Sequence, residues 1–271
     1  MSIKPVLSDA TLTVTNRYAI LRFERDDVRN ALTGTTLIDD ICATVEWANA
    51  NKHISCLIIT GSGSAFSSGG NVKDMRDKLG MFGGSPSEIS DSYKNGIQRI
   101  SRVMHSAEIV TIAAVNGAAV GAGFDLCCMA DIRIGCENTR FGETFINLGI
   151  IPGDGGAWFL QRLLGYQRAA ELTFSGRIID SAEALSLGLL LECVPKDTLI
   201  ACAERYASEY ASKPPQALRA AKRLMKLAQR QELTDFLDVC ADVQSQCHQT
   251  EDHQRALNAF LNKTTAQFEG N

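Results

Sequence analysis

The stretch Ala113–Ile134, AAVNGAAVGAGFDLCCMADIRI, decides the fold. Its apolar start completes IVTIAAV, residues 109–115, which reads as a buried strand. A glycine-rich turn follows, Gly117 to Gly123, then an apolar helix. IRIGCE, from Ile132, reads as the next strand. Strand, turn, helix and strand in that order argue an α/β chain. One residue breaks the apolar helix. Asp125 stands in GFDLCCMA, where burial of a carboxyl is costly without a purpose. Its structural alternative is a polar residue bonded to nearby backbone.

Outward from this stretch the same pattern repeats. ISCLIIT, residues 54–60, is a short apolar strand, and GSGSAFSSGG, Gly61 to Gly70, is a second glycine-rich loop. Glycine lets backbone approach a ligand closely, and helix N-termini present free N–H groups. If the two loops meet, they aim two N–H donors at one oxygen, which is an oxyanion hole. Two ordinary tight turns are the plainer alternative. Gly121-Ala-Gly123-Phe-Asp-Leu126 has Leu where a dinucleotide fingerprint needs its third glycine, and no Gly-Lys-Ser or Gly-Lys-Thr phosphate loop occurs.

TLTVT and YAILRFE flank Asn16-Arg17 as a hairpin. ALTGTTLIDDICATVEWANAN has helical spacing through Leu37, Ile41, Val45 and Ala48. Asp77 to Asp91, with GMFGGSPSE, reads as a loop over a ligand pocket, and helix resumes from about Ser92. After Asp154 the pattern is helical, broken by the short strand LLECVP. Pro214-Pro215 starts QALRAAKRLMKLAQR, whose basic face is either solvated or directed at a neighbouring subunit's ligand. The chain divides into an α/β core, residues 1–195, and a helical region, 196–271.

The chain has 271 residues, 45% hydrophobic and 21% charged, with 27 Lys and Arg against 31 Asp and Glu. The net charge of −4 argues against non-specific nucleic-acid binding. Nine cysteines without a CxxC pair read as reduced buried thiols, and the four histidines have no metal-ligand spacing. No secretory leader and no membrane span is expected, and the cytoplasm is the expected location.

SAFSSGGNVKDM (64–75) and AAVNGAAVGAGFDLCCMADIRI (113–134) resemble the paired signatures of the enoyl-CoA hydratase/isomerase superfamily, the crotonase fold. RNALT (29–33), FGETFINLGIIPGDGG (141–156) and SAEALSLGLLLECVP (181–195) fit the same family in order. The resemblance implies a ββα spiral core with a C-terminal helical oligomerisation region, and homotrimers often paired to hexamers. It implies an acyl-CoA thioester as substrate, no separate cofactor, and a thioester oxygen held by the N–H groups of Gly70 and Ala122. It places coenzyme A against Arg29, Ser68, Gly70 and Val72.

The acid/base residues depart from the pattern. Typical hydratases of the family hold water between two glutamates. Here the first position is Asp125, one methylene shorter, and the second is Phe145. Glu143 lies two residues away. Asp154, among three glycines and a proline in PGDGG, is a further carboxyl, in a loop that the resemblance places near the reacting carbons. Dienoyl-CoA isomerases of the family place a carboxyl close to this turn. Asp154 reads either as an acid/base group or as a helix N-cap, and the two are compatible. Three functions follow: hydration of an enoyl-CoA, with Asp125 and Asp154 handling the proton; double-bond isomerisation; or acyl-CoA binding without catalysis.

Overall fold

The computed structural model describes residues 3–271. Strands β1 (Ala10–Thr15) and β2 (Tyr18–Phe23) form the expected hairpin, with Asn16 at φ 50° in its two-residue turn. Helix α1 (Leu37–Ala50) leads to β3 (Cys56–Gly61) and the short strand β4 (Ala65–Ser67). Then come α2 (Val72–Asp77), α3 (Pro86–Asn95) and α4 (Gln98–Ser106). Strands β5 (Val110–Val115) and β6 (Ala118–Val120) precede α5 (Ala122–Met129). Strands β7 (Ile132–Cys136) and β8 (Arg140–Gly142) precede α6 (Gly156–Leu164) and α7 (Tyr166–Ser175). Strand β9 (Ile178–Asp180), helix α8 (Ser181–Ser186) and strand β10 (Glu192–Val194) complete the sheets. Helices α9 (Leu199–Ala211), α10 (Pro215–Leu227), α11 (Leu233–His248) and α12 (Glu251–Asn262) close the chain.

The large sheet has the order β1-β2-β3-β5-β7-β10, parallel beyond the first hairpin. A second sheet, β4-β6-β8-β9, is parallel except at β9. Three times the chain lays a strand in the large sheet and then a three-residue strand in the small one: β3 to β4, β5 to β6, β7 to β8. Helices follow the first two units, and α6 follows the third. This repeat is the ββα spiral that the sequence resemblance implies.

Strand β3 is buried along its whole length because both faces of the sheet are covered. Leu57 and Ile59 pack with α1, α4 and α5, while Cys56 and Ile58 pack with Leu199, Cys202, Ala203 and Ala207 of α9. Neighbours along a strand point to opposite faces, so two cores form from one run of apolar residues.

Two expectations are corrected. The small sheet was not legible, and AAV, read as part of a turn, is β6. Residues 77–91 are not one continuous loop: a 3₁₀ turn spans Gly80–Phe82, and α3 starts at Pro86. Ser85 and Glu88 form a reciprocal capping box there, and Pro86 fits the first turn because its missing N–H has no partner to lose. The basic residues of α10 also serve inside the chain. Arg219 donates to the carbonyls of Ala48, Asn49, Asn51 and Ile54, closing the end of α1. Lys222 donates to Ile109 O and pairs with Asp131 at 2.6 Å. Among the described residues no helix is long and apolar enough to cross a membrane.

Candidate active site

Local hydrogen bonds lash the loop from Gly61 to Gly70 to residues 29–32. Asn30, fully buried and at φ 52°, donates to Ser62 O and Ala65 O at 3.0 and 2.9 Å. Ser67 Oγ donates to Asn30 O and accepts from Gly69 N. Leu32 N donates to Gly69 O at 2.7 Å, and Ser68 N to Arg29 O at 3.0 Å. The Asn of RNALT is therefore the hub that shapes this loop. Sequence reasoning gave it no role, although Asn is a residue that tolerates the left-handed region.

The second loop meets the first. Gly69 stands at φ +74°, and a Cβ there would lie 2.6 Å from Val120 O and 2.8 Å from Ala122 N. A Cβ on Gly123 would lie 2.2 Å from Ser67 O. Only glycine permits this approach. Among the described residues neither Gly70 N nor Ala122 N donates to any protein acceptor. Ala122 opens α5, where the first N–H groups of a helix lack intrahelical partners. The two loops thus bring two free backbone donors together.

Three carboxyls converge beside them. Asp125, Glu143 and Asp154 are 0%, 1% and 4% exposed. Among the described residues, no protein donor bonds the buried oxygens of Asp125 and Glu143 or Oδ1 of Asp154. Asp125 is nonetheless within hydrogen-bonding reach of the other two. Ionised carboxylates only accept, so the three become bonded to one another only when a proton is among them. Burial, and then the charges of Asp154 and Glu143, push the Asp125 carboxyl far above the usual range. Burial also raises Asp154, against a bond from Asp125 that favours its charge. Glu143 is pushed up to about 7, again chiefly by burial. Burial and both neighbouring carboxyls favour the protonated form of Asp125.

Different elements supply the three groups. Asp125 comes from the first turn of α5. Glu143 directly follows β8, ahead of a 3₁₀ turn at Thr144–Leu148. Asp154 precedes α6, but it is not the cap of that helix. Gly155, at φ +110°, takes the capping position, and no side chain bonds the free N–H groups. A Cβ on Gly156 would lie 2.1 Å from Asp125 Oδ1, so the start of α6 runs against the buried carboxyl. The half-buried Phe145 ring lies over Gly121, whose Cβ would stand 3.6 Å from it.

The remaining sequence candidates frame the same loops. Arg29 is exposed, at φ 52°, and its guanidinium has no partner among the described residues. Val72 is exposed at the start of α2, and Ser68 Oγ donates to Val28 O. Asp131 lies apart from the carboxyl cluster, bonding Thr111 and Lys222.

A family model described as enoyl-CoA hydratase/isomerase matches residues 14–271. The chain belongs to that family. Crotonyl-CoA hydratase of Syntrophomonas wolfei subsp. wolfei is 32% identical over 253 residues, covering 93% of this chain and 94% of that protein. The 2,3-dehydroadipyl-CoA hydratase of Escherichia coli K12 is 30% identical over 264 residues, 97% of this chain and 100% of its own length. The crystal structure of enoyl-CoA hydratase from Bacillus anthracis superposes with a TM-score of 0.88 at 28% identity, covering 97% of this chain and 100% of that one. In this member of the hydratase/isomerase family Asp125, Glu143 and Asp154 form one buried carboxyl cluster.

Proposed function

We propose that this enzyme adds water across the double bond of an enoyl-CoA thioester. The observation that carries the reading is the set of three buried carboxyls, two of them within hydrogen-bonding reach of Asp125, beside two free backbone N–H groups. Gly70 and Ala122 bind the thioester oxygen and stabilise the enolate that forms there. Arg29, Ser68, Gly70 and Val72 hold the coenzyme A portion, with Arg29 on a phosphate.

The two aspartates divide the proton chemistry because their environments separate their affinities for it. Asp154 accepts a proton from water as the water oxygen bonds to Cβ. The electron pair of the double bond moves through Cα onto the thioester oxygen. Asp125 gives its proton to Cα as the enolate collapses. The proton on Asp154 then returns to Asp125 across their contact, so the enzyme ends unchanged. Glu143 shares the cluster and adjusts how tightly the aspartates hold their protons.

The relatives named as hydratases support hydration. One observation favours double-bond isomerisation as a second reading: Phe145 presents a ring against Gly121, next to the Ala122 donor, where an apolar wall disfavours water. Incubation with an unsaturated acyl-CoA in H₂¹⁸O separates the two. Label in the product supports hydration. A shifted double bond without label overturns it.

The same reading includes a homotrimer, or a hexamer of paired trimers, in the cytoplasm. Helix α11 buries no residue on its own chain and α12 only Asp252, while Leu233, Leu237, Phe260 and Leu261 are exposed. Such apolar surface is the kind a neighbouring subunit covers. A monomer in light scattering would remove this part of the proposal.

A further inference from the structure

Asp154 lies between Gly153 and the pair Gly155-Gly156. Backbone flanked by glycine has little conformational preference of its own, so something else must set the direction of this carboxyl. Among the described residues no protein donor reaches Asp154 Oδ1. Beside the turn's own bond from Gly155 N to Pro152 O, two side-chain donors from one face of α4 hold it. Gln98 Nε2 donates to Gly153 O at 2.8 Å, and Ser101 Oγ donates to Asp154 O. The two donors are three residues apart, hence neighbours on the helix surface. They grip two successive carbonyls. Tyr93 of α3 closes on the same turn, since a Cβ on Gly153 would lie 3.0 Å from its ring. A Cβ on Gly155 would lie 3.8 Å from Ser101 Oγ.

We propose that Ser101, supported by Gln98, is a positioning residue for Asp154: its hydroxyl fixes the peptide plane that aims this carboxyl at Asp125. The kinetic consequence rests on the proton role proposed for Asp154, whereas the geometric claim stands without it. Ser101 acts through the main chain, since its hydroxyl donates to Asp154 O. The titratable groups that face Asp154 are Asp125 and Cys128 of α5, Glu143 ahead of its 3₁₀ turn, and Tyr93 of α3. A turn released from α4 changes its distance to all four.

The test uses Ser101→Ala and Ser101→Thr in the full chain, with two readouts. The first is the Asp154 midpoint in a ¹³C carboxyl NMR titration of the free protein. The second is kcat, KM and their pH profile with an enoyl-CoA. Ser101→Ala is expected to move the Asp154 midpoint toward the ordinary carboxylate range. It should lower kcat about ten- to a hundredfold, the scale of a small misplacement of a reacting group, with KM little changed. Ser101→Thr keeps the hydroxyl and restores both. An unmoved Asp154 midpoint in a folded Ser101→Ala protein overturns the proposal, whatever its Tm. Full turnover by Asp154→Asn would instead overturn the proton role, and the NMR titration would still decide the positioning. If Ser101→Ala does not fold, Gln98→Met removes the companion donor at similar volume and carries the same two readouts.

Discussion

Gly69 and Ala122 come from separate glycine loops, yet a methyl group on Gly69 would stand 2.8 Å from the Ala122 nitrogen. That closeness joins the two N–H donors into one site. Gly69→Ala is expected to fold poorly or to part the loops, because φ +74° also disfavours a side chain. Loss of one oxyanion donor costs ~10²–10³ in rate. Turnover of crotonyl-CoA by the purified variant, read from enoyl absorbance, checks this. An unchanged kcat would exclude the loop junction from the thioester site.

The aspartates make a sharper test. Asp154→Asn and Asp125→Asn should each lower kcat by ~10²–10⁴, the usual contribution of a positioned acid or base. Coenzyme A binding, measured by calorimetry, should survive both. The pH dependence has a definite sign. Asp154 must be ionised and is raised, so activity falls as pH drops through a value above the ordinary carboxylate range. Asp125 must be protonated and is raised further, so its limb lies at higher pH. Full activity at pH 4 would contradict the assignment of Asp154.

Glu143 gives a prediction in stability. Its carboxyl, raised to about 7 in the folded protein, titrates near 4.3 when unfolded. Folding therefore retains a proton that the unfolded chain releases, and stability falls as pH rises from about 4 to 7. Glu143→Gln removes this dependence. The Tm of the variant should match wild type near pH 4 and exceed it above pH 7. Each kcal/mol is worth about 2–4 °C in a chain of this size. A Tm gap that stays constant with pH would mean that Glu143 is not a buried titrating group.

The sequence carried the large sheet clearly, because β2, β3 and β5 are six-residue, mostly apolar stretches between turn signals. It did not carry the small sheet. Strands of three residues, such as Ala65–Ser67 and Arg140–Gly142, are too short to express a period of two. Helix α3 hid behind Gly83-Gly84, although Ser85 and Glu88 are spaced as a capping box. Within the site, Asp125 and Asp154 stood out because a carboxyl in apolar or glycine-rich surroundings needs a reason. The place of Glu143 depends on how the chain turns after β8, and one residue of register reverses its direction. Gln98 and Ser101 were silent: polar residues on a helix give no sign of which backbone they meet.

Phe145 bears on the choice between hydration and isomerisation. Its ring covers Gly121, beside the donor at Ala122. Phe145→Ala removes that wall and leaves space that a water molecule can occupy only if polar partners line it. Glu143, two residues before Phe145, has both carboxyl oxygens buried without a protein donor among the described residues. If the ring excludes water, the variant should incorporate more ¹⁸O from H₂¹⁸O per double bond shifted than wild type does. The ring is half-buried, so the stability cost should fall below the ~3–5 kcal/mol of a fully buried phenylalanine. Mass spectrometry of the product acyl-CoA gives the ratio directly. An unchanged ratio would mean that the carboxyls, and not the phenyl ring, govern the entry of water.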